Sequence, residues 1–117
     1  MKIMRLTRHA VTAEQVEALE EKYGDVNIVQ VTDTLLSNPR EAVAMFDQLA
    51  QQSYADVAEV VLPINLLQAV LQSQFVKNGG IVIRSVMDRT VDDEGNATFT
   101  FSHYEKIVKV EIVTEPL

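Results

Sequence analysis

Apolar positions change their period along this chain. Three times, a short apolar run is followed by a segment with apolar residues every three or four positions. The first run is Lys2-Ile-Met-Arg-Leu-Thr7. A helix is predicted after it, because Val16, Leu19 and Tyr23 recur at i, i+3 and i+7 while Glu14, Glu17, Glu20 and Glu21 take the outer positions. Thr12-Ala-Glu-Gln15 fits a capping box at its start: the threonine side chain accepts from the N–H three residues on, and the glutamine reaches back. Gly24 suits its end, being free to turn left-handed. The second run is Val26–Val31, followed by a loop at Thr32-Asp-Thr34. Asn38 is the expected N-cap of the next helix, Pro39 its first residue and Glu41 its capping-box partner. Ala42, Val43, Phe46, Leu49 and Ala50 form its apolar stripe. The third run, Val57–Leu62, is closed by Pro63, which has no N–H for a ladder. Leu66, Leu67, Val70, Leu71 and Phe75 then share one helical face until Asn78-Gly79-Gly80.

After Gly80 the period becomes two. Ile81–Thr90 and Ala97–His103 flank the turn Asp92–Asn96, a hairpin signal, and Ile107–Val113 reads as a final strand. Apolar strands alternating with amphipathic helices imply a parallel sheet covered on both faces. The expected fold is therefore a three-layer, Rossmann-like α/β domain over residues 1–117. It has three helices, a mostly parallel sheet, a C-terminal antiparallel hairpin and a last strand.

Composition narrows the chemistry. At 117 residues the chain buries about two-thirds of its unfolded surface and holds a core without staples. It has no cysteine, which removes disulfides, thiolate metal sites and cysteine nucleophiles. No apolar run approaches the ~18 residues of a membrane span, and no signal-peptide core opens the chain. A cytoplasmic location and no membrane partner are expected. Seventeen acids against ten bases give a net charge of −7, which argues against a non-specific nucleic-acid coat.

In open α/β sheets, ligands bind beyond the carboxyl ends of the parallel strands, where helix N-termini favour anions. That rule selects Thr7, Arg8 and His9; Thr32, Asp33 and Thr34; Pro63, Ile64 and Asn65; and Arg84 with Ser85. Arg8 and His9 are the candidate catalytic pair: a guanidinium fork suits a phosphate, and an imidazole moves protons near neutrality. Thr32, Asn65 and Arg84 are candidate ligand contacts. Asn65 also suits the N-cap of the third helix, and Arg84 suits an ion pair within an apolar strand. His103 shares a face with Phe99 and Phe101 by alternation, as a half-buried sheet histidine or a second proton-transfer group. No metal and no cofactor are expected. Two histidines without a ligand spacing make no zinc site, and GxGxxG, GxxxxGK[ST] and GxSxG are all absent.

A first strand, then Thr7-Arg-His-Ala-Val-Thr-Ala-Glu-Gln15 leading into a helix, resembles the small CRISPR-associated ring nucleases and their CARF-like relatives. The likeness extends over the three strand–helix units. It implies a homodimer that binds a cyclic oligoadenylate and cleaves it without a metal, with Arg8, His9, Thr32, Asn65 and Arg84 at the pocket. Leu6-Thr-Arg-His-Ala10 also resembles the phosphohistidine motif of the histidine phosphatases, with Ala10 where that family has glycine. The leading expectation is a small phosphate-bearing nucleotide as ligand, with cleavage as its catalytic extension. The alternative is a non-enzymatic, dimeric interaction protein.

Overall fold

The computed structural model describes residues 1–117. Its element order is β1 (Lys2–Leu6), α1 (Ala13–Tyr23), β2 (Asn27–Val31), α2 (Pro39–Gln52), β3 (Val57–Val60), α3 (Ile64–Val70), α4 (Gln74–Lys77), β4 (Ile81–Val91) and β5 (Ala97–Lys106). One sheet holds all five strands in the order β2-β1-β3-β4-β5. The first four are parallel, and β5 runs antiparallel to β4. The expected α/β architecture is present, with α1 on one face and the other helices on the opposite face.

Connectivity explains the layers. The chain leaves β1 through α1 to β2, then returns over β1 through α2 to β3. Right-handed crossovers in opposite directions put α1 and α2 on opposite faces. Alternation along the strands supplies both. Met4, Leu6, Ala58, Val60 and Val82 meet Ala42, Phe46 and Ala50 of α2 and Leu66 and Val70 of α3 in the larger cluster. Ile3, Val57 and Ile83 meet Leu19 of α1 in the smaller one. No helix is long and apolar enough to cross a membrane.

Most local signals hold. Thr12 and Gln15 form the capping box, Gly24 takes φ 76° at the end of α1, and Asn38 caps α2 by accepting from Arg40 N (3.0 Å) and Glu41 N (3.4 Å); the Glu41 side chain does not return the bond, so the second capping box is only half formed.

Three expectations are corrected. The third helix is broken in two, because Ser73 caps a new start and Asp47 of α2 accepts from the N–H groups of Gln74 and Phe75 at 3.2 and 2.9 Å. Its N-cap is Pro63, which makes no side-chain cap, so Asn65 lies in the first turn. The sixth strand is absent: beyond β5 only Ile107 N continues the ladder, to Val82 O at 2.8 Å. Reversal onto β5 would require turn residues after Lys106, and the chain has none there. It runs on across α3 instead, where Gln68 Nε2 donates to Val110 O at 3.3 Å.

Candidate functional site

The strand order puts the topological switch point between β1 and β3, the place where such sheets bind ligands. At that place lies a buried ionic cluster. Arg5 of β1 and Glu59 of β3 are register partners, 3% and 1% exposed, with Arg5 Nε donating to Glu59 Oε1 at 3.1 Å. Tyr104 of β5 adds its hydroxyl to the same oxygen at 2.7 Å. Burial first, then the bond to Glu59 and its charge, raise the Tyr104 phenol well above its ordinary value. Glu59 Oε2 is buried with no partner.

The rest of the Arg5 fork organises the loop that follows β1. Its Nη2 donates to Gln15 Oε1 at 3.2 Å, and that oxygen also accepts from Thr12 N at 2.9 Å. The capping-box glutamine therefore joins α1 to β1. Arg5 Nη1 donates to His9 O and to Gln30 Oε1, the latter at 3.3 Å. Gln30 of β2 in turn donates to Thr7 O and to His9 O, the latter at 3.2 Å. Two carbonyls of the Thr7–His9 loop are thus fastened from below.

Above this anchor, Arg8 and His9 are exposed. Arg8 Nη2 approaches Thr34 Oγ1 at 3.5 Å, so the loops after β1 and β2 meet. Arg8 has no carboxylate within salt-bridge distance. Thr32, Asp33, Thr34 and Asn65 are exposed on the same carboxyl edge.

Arg84 is also at this end but is engaged. Its Nε and Nη2 donate to Glu105 Oε2 at 3.1 and 3.0 Å, holding that carboxyl below its usual range. With Ser85, Val60, Val61, Leu62, Leu67 and Ile107, Arg84 lines a cleft of about 190 Å³ on the α3 side. The candidate residues therefore share an edge, but Arg8, His9, Thr32 and Asn65 do not line that cleft.

His103 departs from its expected place. A β-bulge between the Val86–His103 and Met87–Phe101 pairs leaves Ser102 extra, so His103 falls opposite Val86 rather than with the Phe101 face. It is exposed, 2.8 Å from Ser102 Oγ and 3.6 Å from Glu105 Oε1. That places it with the Arg84–Glu105 pair and away from His9's loop.

A roomier cleft, about 690 Å³, lies at the amino ends of the strands, between α2, α4 and β4. Its two carboxylates are occupied: Asp47 caps α4, and Asp56 Oδ2 accepts from Lys2 N at 2.8 Å. No group of three or more His, Asp or Glu side chains converges as a metal-binding set.

The sequence reading missed Arg5, Glu59 and Tyr104. The signal was one ion of each sign inside two runs that should be covered on both faces. Compared with family models, curated proteins and solved structures, the chain matches none.

Proposed function

We propose that the Arg8–His9 edge binds a small phosphate-bearing nucleotide, such as a cyclic oligoadenylate, and promotes its cleavage without a metal. The observation that carries this reading is the anchored loop. Arg5 and Gln30 hold the carbonyls of Thr7 and His9, which leaves the Arg8 guanidinium exposed beside the start of α1. Fixing the loop in advance lowers the ordering cost of binding. A guanidinium suits a phosphate as a planar, bidentate donor. Thr34, already within reach of Arg8, extends the donor set toward β2.

In the catalytic form of the reading, a ribose 2′-oxygen attacks the adjacent phosphorus and the bond to the 5′-oxygen breaks. The products are a 2′,3′-cyclic phosphate and a 5′-hydroxyl. His9 takes the 2′-proton or delivers one to the leaving oxygen, and Arg8 stabilises charge on the non-bridging oxygens. The ring-nuclease resemblance at Thr7–Gln15 points to the same substrate class.

The test is incubation with cyclic tri-, tetra- and hexa-adenylate, following binding by calorimetry and linear products by chromatography. Binding that is lost in Arg8→Ala, and turnover that is lost in His9→Ala, are expected. Neither binding nor products with any of the three rejects the reading.

A further inference from the structure

Beyond Ile83 the sheet narrows to a projecting hairpin. Only Ile81–Ile83 of β4 pair with β3; Arg84–Val91 pair with β5 alone, and the outer edge of β5 has no neighbour. Near its root β5 carries a serine, a histidine and a glutamate: Ser102, His103 and Glu105. The bulge decides how the first two stand. In an unbroken strand their side chains would point to opposite faces. The bulge takes Ser102 out of the ladder and re-aims it. Its Oγ lies 2.8 Å from His103 Nδ1.

Charge sets the direction of each bond. Glu105 lies two residues from His103, on the same face, and opposite Arg84. Arg84 donates twice to its Oε2 and holds the carboxyl below its usual range. The other oxygen, Oε1, lies 3.6 Å from His103 Nε2. An ionised carboxylate only accepts, so the neutral ring carries its proton on Nε2. Nδ1 is left as an acceptor, and the Ser102 hydroxyl donates to it. A hydroxyl, an imidazole and a fixed carboxylate therefore stand in the order of nucleophile, base and orienting acid. Ser102 is exposed, and the His103 and Glu105 side chains are 56% and 44% exposed, so a substrate can reach them. Exposed ion pairs contribute little to stability, so the fold does not require the arrangement.

We propose that Ser102, His103 and Glu105 make an acyl-transfer site that hydrolyses small, activated carboxylic esters. Ser102 Oγ attacks the carbonyl carbon as its proton passes to His103 Nδ1, and Glu105 stabilises the imidazolium. The bond from that carbon to the leaving oxygen breaks, the leaving oxygen takes the proton from Nδ1, and the acyl group stays on Ser102. Water then gives a proton to Nδ1 and attacks the acyl carbon. The carbon–Oγ bond breaks and Oγ recovers the proton. Arg84 is a positioning residue, acting through Glu105.

The substrate class follows from the surroundings. Neither Ser102 nor His103 lines the two clefts described above, so no deep pocket grips a long substrate. The donors available to a developing oxyanion are the outward N–H groups of the open β5 edge, which stand in water. Amides, with poor leaving groups, need stronger stabilisation than these give. Aryl esters and thioesters do not. The site stands apart from the Arg8–His9 edge, and either reading can fail alone.

Two probes test it. Diisopropyl fluorophosphate should add once, with loss of fluoride, and peptide mass mapping should put the adduct on Ser102. His103→Gln should slow this labelling by about 100-fold, the scale of general-base catalysis, and Glu105→Gln by less. The wild-type labelling rate should rise with pH through one ionisation that is missing in His103→Gln. p-Nitrophenyl acetate should give a burst of one equivalent of nitrophenolate, lost in Ser102→Ala. Circular dichroism and urea midpoints should match wild type in all three variants, so a structural role would move none of these readouts. No adduct, an adduct on other hydroxyls, Ser102 labelling at an equal rate in His103→Gln, or a burst that survives Ser102→Ala each overturns the proposal.

Discussion

Two arginine–glutamate pairs in this molecule have the same donor–acceptor distance and opposite surroundings. Arg5 Nε lies 3.1 Å from Glu59, and Arg84 Nε lies 3.1 Å from Glu105. The first pair has side chains 4% and 1% exposed; the second has 57% and 44%. Distance therefore says little about what each does. Burying two ions costs several kcal/mol each in lost hydration, and their attraction repays that only with good geometry and satisfied partners. Arg5 meets that condition on its side by donating to four acceptors, of which His9 O and Gln15 belong to the loop and to α1, while Glu59 Oε2 is left without a partner. Its role is to specify a loop, at little net gain in stability. The exposed pair keeps most of its water and is screened by salt.

The sharpest break of this comparison is Glu59→Gln. It leaves the Arg5 charge buried and uncompensated, so urea denaturation should show a loss of about 3–5 kcal/mol. Tyr104→Phe comes next. Removing one donor from a buried carboxylate should cost about 1–3 kcal/mol in the same assay. The double change Arg5→Met with Glu59→Leu should stay within about 2 kcal/mol of wild type, because apolar replacements lose both the attraction and the hydration cost. Amide hydrogen exchange at Arg8 and His9 should nevertheless speed up. A loop that remained equally protected would show that Arg5 does not hold it.

Alkaline pH sharpens the contrast. The raised phenol of Tyr104 means that the folded state keeps a proton the unfolded chain releases. Its contribution is fully present below pH ~10, the ordinary tyrosine value, and declines as pH rises above it. Burial raises Tyr23 in the same direction, so the wild type should lose stability above pH ~10 more steeply than Tyr104→Phe does. Stability curves measured at several alkaline pH values check this. The smallest effect is expected at the exposed pair. Glu105 is held low by Arg84, so its contribution exists above the ordinary carboxylate range and is lost as pH falls through it. Glu105→Gln should leave the denaturation midpoint unchanged at physiological salt.

How much of this was legible in the sequence depended on range. The caps at Thr12–Gln15 and Asn38–Pro39, the turn at Gly24 and the hairpin at Asp92–Asn96 involve neighbours a few residues apart, and all were readable. The Arg5–Glu59 pair joins positions 54 residues apart, and only the strand order puts them side by side. Arg84 carried both readings in the sequence, and its partner lies across the hairpin at Glu105. The break at Ser73 depends on Asp47 from another helix, so the apolar periodicity through Phe75 concealed it. Arg8, His9, Thr32 and Asn65 were placed on the right edge by the strand–helix rule. Their separation from the Arg84 cleft is tertiary.

Ser102 sets the phase of everything distal to it. Period-two alternation means that one residue more or fewer exchanges the two sides of a strand. Unbroken alternation outward from Tyr104 through Ser102 would turn Phe101 and Phe99 toward the α3 side; the bulge absorbs Ser102 and keeps Phe101 on the face of Tyr104. Which flank of the projecting hairpin is aromatic is thus decided at a single position, where one residue drops out of the ladder and the rings stay on the side of the α1 core.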